Sequence, residues 1–113
     1  EDAFRKQIPI NMFSDMIFSP LHMTTLAQIA RECYEISLQG LFNVGSREGL
    51  SKADFGLKIG KHFGLSTKNA TIIKSSDILN RAPRALNLTM DVEKIETALG
   101  KKMPKLINEI QKL

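Results

Sequence analysis

Residues 40–49 read GLFNVGSREG, an apolar run that meets glycines and a polar step before the next amphipathic segment. Gly40 and Gly45 have the spacing of the phosphate-cradling loop G-x-x-x-x-G-K-[ST], and Ser46 and Arg47 follow. In such a loop the four residues between the glycines form the cradle, with their N–H groups free to face phosphate oxygens. Here those residues are Leu41, Phe42, Asn43 and Val44, which read as an apolar strand whose N–H groups belong to sheet pairing, and the lysine is missing. The stretch is therefore predicted to be a strand that Gly45 and Gly49 turn towards a helix, not a nucleotide cradle. A strand between helical segments makes the chain α/β.

Working outward, Ser51 with Asp54 three residues on forms a capping box with the shorter acid. The helix it opens is expected to run to about Phe63 and stop at Gly64. Phe55, Ile59 and Phe63 make one apolar line along it. Gly56 and Gly60 would each cost about 1 kcal/mol in a helix interior, so they are expected to admit a close neighbour. Upstream, Thr24 or Thr25 is expected to cap a helix to about Ser37, with Leu26, Ile29, Ala30, Cys33 and Ile36 facing inward. Before it lie a strand-like piece at 8–14 (IPINMFS) and a short extended FSP at 18–20. Downstream, ATIIK (70–74) reads as a strand, SSD (75–77) as a turn and RAPRALN (81–87) as irregular around Pro83. Asp91 is expected to cap a short helix with Val92, Ile95 and Leu99 inward, ended by Gly100. Pro104 is expected to open a last helix with Leu106, Ile107, Ile110 and Leu113 inward. Short strands thus alternate with about four helices, and no repeat is found.

The 113 residues are enough for one domain with a single core, and a single domain over 1–113 is expected. Hydrophobic content of 42% and charged content of 25% fit a globular chain. No apolar run reaches the roughly 20 residues of a membrane span, and the N-terminus lacks a signal-peptide core. The lone Cys33 leaves no intrachain disulfide, and a reducing cytoplasm is the expected compartment. The chain begins without an initiator Met, as a piece of something longer would. A net charge of +4 is a mild excess spread along the chain, with six phenylalanines and one tyrosine, so no basic, aromatic-bearing stripe marks a nucleic-acid surface. The sequons at Asn69 and Asn87 read as chance.

Few groups suggest chemistry. His22 and His62 stand without partners at metal-ligand spacing, and Cys33 reads as a core thiol. Glu93 and Glu96 read as solvated helix charges. Arg81, Arg84 and Asn87 share the proline-bearing stretch, where two guanidiniums could grip a diphosphate by bidentate hydrogen bonds. Spacing alone fits ordinary surface arginines more simply.

The order of pieces INMFSDMIFSPLHMTTLAQIA, GLFNVGSREGLSKADFGLKIGKHFG and RAPRALNLTMDVEKIETALGKKMP resembles the C-terminal part of extended short-chain dehydrogenase/reductases. It is most similar to the dTDP-4-dehydrorhamnose reductase branch, over most of residues 8–113. That branch has D-Q-x-x-x-P-T before a helix, where this chain has Asp15-Met16 and Pro20-Leu21. Gly40 to Val44 match its next motif, and Arg84, Asn87, Asp91 and Lys94 match its R-P-x-N/D and D/N-x-x-K. Leu99, Gly100 and Pro104 match its terminal L-G-x-x-x-P. Met16, Leu21 and Ala85 depart from the pattern, standing where that branch has Gln, Thr and Pro.

The resemblance implies a substrate-binding portion of a Rossmann-type enzyme, cut from its N-terminal dinucleotide-binding domain. It implies NAD(P) in the full-length enzyme and none bound by this fragment. It also implies hydride transfer to a 4-keto nucleotide-sugar, in envelope polysaccharide synthesis. The family's proton donor is a Tyr in Y-x-x-x-K; Tyr34 is followed four residues later by Leu38, so no catalytic residue is expected here. Arg84 is the implied phosphate contact, then Asn87, then Asp15. A non-catalytic scaffold of the same fold, an epimerase or dehydratase, and a free-standing interaction module are the alternatives. The LFNV strand, without its missing sheet, is expected to offer an edge for a homodimer.

Overall fold

A computed structural model describes residues 1–79, 82 and 84–113. These fall into two compact units, each assembled from separated stretches: Glu1–Phe18 with Leu50–Leu88, and Ser19–Gly49 with Thr89–Leu113. The α/β class expected from the sequence is borne out. No helix among the described residues is long and apolar enough to cross a membrane.

The first unit opens with a short helix, α1 (Asp2–Arg5), which the sequence pattern did not announce. Strands β1 (Ile10–Phe13) and β2 (Ile17–Phe18) follow. After the excursion through the other unit come β3 (Leu50–Ser51), α3 (Lys52–His62), β4 (Ala70–Ile73), a 3-10 turn (Ser75–Asp77) and β5 (Asn87–Leu88). β1 and β4 pair in parallel from Ile10↔Ala70 to Phe13↔Ile73. β2 is the middle strand of a second sheet, antiparallel to β3 and parallel to β5.

Local chemistry explains α3. The Ser51 hydroxyl accepts from the Asp54 N–H at 3.0 Å and donates to the Asp54 carboxylate at 2.7 Å, closing the expected cap. At the other end Leu65 N–H reaches the Gly60 carbonyl and Gly64 N–H the Lys61 carbonyl, with Gly64 at φ 61°. That is the left-handed termination glycine allows at least strain. Phe4, Met12 and Ala53 form the buried core, with Ile10, Leu57, Leu65 and Ala70 against it. The expected apolar line is only half-buried, and Phe55 stacks edge-on against Phe18 with centroids 5.1 Å apart.

The second unit holds α2 (Met23–Glu35), α4 (Glu93–Leu99) and α5 (Leu106–Ile110). His22, not a threonine, caps α2: its ring nitrogen accepts from Thr24 N–H at 3.3 Å. The inward face is also turned from the expected one. Thr25 and Ile29 are buried and Cys33 packs on the core, while Leu26 and Ile36 are 48% and 53% exposed. Asp91 caps α4 from one residue further out, its carboxylate accepting from Glu93 N–H at 3.0 Å. Ile29, Val92, Ile95 and Met103 form the core, and Leu106 and Ile110 of α5 are buried as expected. Ile107 and Leu113, expected inward, are exposed.

Two carboxylates are drawn into this unit. Glu96, expected to be solvated, is 6% exposed and accepts from Met103 N–H and Lys102 Nζ, both at 2.7 Å. Glu109, 2% exposed, accepts from His22 N–H at 2.9 Å and Lys112 Nζ at 2.7 Å. The hydrogen bonds from Lys102 and Met103 hold the Glu96 carboxyl below its ordinary 4.5, outweighing its desolvation. Burial pushes Glu109 up, but Lys112, Thr25 and the His22 N–H together outweigh it, and its net shift is also downward. A carboxyl whose folded pKa is depressed stabilises the fold above its unfolded value, and loses that contribution as pH falls through the folded one. Thermal stability is therefore expected to fall once the pH drops below 4.5, the ordinary value of both groups. Melting curves from pH 7 to pH 3 check it, and Glu96→Gln with Glu109→Gln should flatten the profile.

Candidate functional site

The glycine stretch is answered by its packing. Residues 41–44 form no strand, so the predicted LFNV strand and the dimerising edge built on it are corrected. Phe42 and Val44 instead send side chains to the core of their unit, while Leu41 is 86% exposed. Ser46 N–H donates to the Ser19 carbonyl at 3.0 Å and Arg47 N–H to the Pro104 carbonyl at 2.8 Å. A Cβ on Gly45 would lie 2.9 Å from the Ser19 carbonyl oxygen and 3.1 Å from Met90 Cβ. The space beside Gly45 is thus filled by the protein itself, and the two N–H groups that follow it are used within the unit.

The candidate site lies in the first unit. A cleft of about 370 Å³ is lined by Met16, Ser75, Ser76, Ile78, Arg84 and Leu86. Its walls follow from the strand ends. β1 and β4 run out at the same end, and Ser14 N–H extends their pairing to the Ile73 carbonyl at 2.9 Å. The next residue, Asp15, bridges the gap beyond the last rung. Its two carboxylate oxygens accept from Ser75 N–H at 2.9 and 3.0 Å, and one also accepts from the Ser75 hydroxyl at 2.7 Å. Those bonds, led by the hydroxyl, hold the Asp15 carboxyl below its ordinary 3.8.

The opposite wall is held by β5. Ile17 N–H donates to the Leu86 carbonyl at 2.8 Å, and Asn87 pairs with Ile17 in parallel register. That pairing fixes Arg84 two residues before the anchored carbonyl. Arg84 is exposed at the cleft, and its side chain meets no hydrogen-bond or ion-pair partner among the described residues. Met16, 1% exposed, closes the floor.

Of the residues picked out from sequence, Arg84 lines the cleft, Asp15 adjoins it through Ser75, and Asn87 lies on the strand that carries its wall. Arg81 and Pro83 lie outside the described residues. Ser75 and Ser76 escaped notice because SSD reads as any turn, and the Asp15–Ser75 contact spans 60 positions. Asp91 and Lys94, which match a family motif, have internal uses: Lys94 Nζ donates to the Leu41 carbonyl at 2.8 Å and sits 4.6 Å from the Phe42 ring centroid. No group of His, Cys, Asp and Glu suited to a metal occurs among the described residues.

No protein-family model and no curated protein matches the sequence. Among solved structures, the chain is similar to dTDP-4-dehydrorhamnose reductase from Bacillus anthracis in complex with NADP (TM-score 0.86, 17% identity, 98% of this chain and 39% of that one). It is also similar to a dTDP-4-dehydrorhamnose reductase of Clostridium acetobutylicum (TM-score 0.84, 13% identity, 98% and 39%). A weaker likeness reaches dTDP-glucose 4,6-dehydratase of Bacillus anthracis (TM-score 0.71, 11% identity, 98% and 35%). This chain therefore has the fold of a portion, 35–39% of the length, of these Rossmann-type short-chain dehydrogenase/reductases.

Proposed function

We propose that this chain is the substrate-side portion of an NAD(P)-dependent nucleotide-sugar reductase of the dTDP-4-dehydrorhamnose reductase type. In this reading it lacks the dinucleotide-binding domain and the catalytic residues. The likeness to such reductases supports the class, and the exposed guanidinium of Arg84, without a partner among the described residues, at an apolar-floored cleft is the observation that carries the site. The diphosphate of the nucleotide-sugar would take Arg84 in bidentate fashion, with Asn87 second. Hydride transfer and protonation of the 4-keto oxygen belong to the part of the enzyme that carries the cofactor. This chain's work is to bind, orient and exclude water.

Arg84→Ala in the natural full-length protein is expected to weaken binding of a dTDP-sugar by about 10- to 100-fold, the loss of about 1.5–3 kcal/mol from a charge-assisted hydrogen bond. Unchanged KM and kcat would remove Arg84 from the site. An epimerase or dehydratase is the second reading, favoured by the TM-scores of 0.71 and 0.67 to a dTDP-glucose 4,6-dehydratase and a UDP-N-acetylglucosamine 4-epimerase. Reduced product with consumption of NAD(P)H would support the reductase. Epimerised or dehydrated product with no net consumption would support the second reading.

A further inference from the structure

The Asp15 carboxylate cannot serve a ligand and its present partners with equal freedom. Both oxygens are spent on Ser75, one of them twice. Ser75 opens the 3-10 turn, which is closed on its own by Lys74 N–H to the Asp77 carboxylate at 2.8 Å and by Asp77 N–H to the Lys74 carbonyl at 3.1 Å. The turn is thus closed within itself, and Asp15 fastens it to the end of β1 beyond the last β1–β4 bond, from Ser14 N–H to the Ile73 carbonyl. The same turn brings Ser75 and Ser76 to the cleft, and Ile78 follows directly. Met16, the neighbour of Asp15, is the floor they share. This carboxylate is therefore the side chain that ties the serine wall to the residue beside the floor.

We propose that Asp15 is a positioning residue of the cleft, acting on a bound nucleotide diphosphate only through Ser75 and the turn that Ser75 opens. The inference rests on the functional reading above. It replaces a direct Asp15 contact with an indirect one, which also spares the anionic ligand a like charge at close range.

Calorimetric titration of dTDP and of UDP into the natural full-length protein tests it, with Asp15→Asn, Ser75→Ala, their double variant and Arg84→Ala. Asp15→Asn puts an amide donor where Ser75 presents its own donors, and Ser75→Ala removes the hydroxyl alone. Each is expected to weaken binding about three- to tenfold, and the double variant no more than the worse single, because residues acting through one contact do not add. The Ser75 amide proton resonance should also lose its carboxylate-induced downfield shift in Asp15→Asn, with Lys74 and Asp77 the other charged groups beside it. Losses that multiply in the double variant, or Asp15→Asn binding as the wild type does, would overturn the inference. If Arg84→Ala still loses affinity in that case, the functional reading stands without it. A wild type that binds neither dTDP nor UDP overturns both. Should Asp15→Asn fail to fold, wild-type affinity in Ser75→Ala overturns the inference alone.

Discussion

Ile95→Ala is expected to lower the unfolding free energy by about 3–5 kcal/mol, in the upper part of the range for truncating a buried aliphatic side chain. Ile95 is 0% exposed and sits among Ile29, Val92 and Met103. Truncation removes transfer free energy and leaves a void that a close-packed core closes only in part. The neighbours have little room to collapse, because α4 is fixed at both ends. Asp91 caps its start, and Gly100, at φ 63°, ends it. Urea unfolding followed by far-ultraviolet circular dichroism gives the number, and amide exchange should show α4 losing protection first. A loss under about 1 kcal/mol would mean that this cluster is not the core of its unit.

Gly60→Val is expected to cost about 2–4 kcal/mol, whereas Gly56→Ala in the same helix should be close to neutral. A Cβ at position 60 would lie 2.4 Å from Thr67 Cγ2 and 3.6 Å from two atoms of the Phe4 ring. Thr67 is stiff at χ1 and Phe4 is buried, so the helix itself must move, and its carbonyl at 60 already holds the Leu65 N–H of the termination. At position 56 the contact is Met12 Sδ at 2.5 Å, the adaptable part of an unbranched side chain. There the roughly 1 kcal/mol gained in helix propensity offsets the shift of the thioether. Thermal melts of both variants beside the wild type decide it: Gly60→Val as stable as the wild type would show that this glycine marks no close approach. The glycines were legible in sequence as a helix made to approach something. Which of them is critical depends on what stands opposite.

The same division runs through the chain. Signals carried within a few residues were readable: Ser51 with Asp54 opening α3, Gly64 and Gly100 closing helices, and the strand at 70–73. Arg84 was readable too, as a cation in a proline-bearing stretch, but not as one wall of a cleft. What failed was each reading that needed a partner outside its own element. An apolar tetrapeptide at 41–44 looks like a strand until Ser19 and Pro104, distant in sequence, take the N–H groups just beyond it. A helical glutamate looks solvated until Met103 and Lys102 close over Glu96. The face of α2 looked set by Leu26 and Ile36, yet Thr25 was drawn inward, where Lys112 of the last turn donates to its hydroxyl at 2.6 Å. Capping and termination are hydrogen bonds between near neighbours, so the sequence by itself determines them. Burial of Glu109 against the His22 N–H, the side a helix turns inward and the tether from Asp15 to Ser75 are interactions across long loops. Their free energy exists only when the tertiary structure has brought the partners together, and that structure alone decided them.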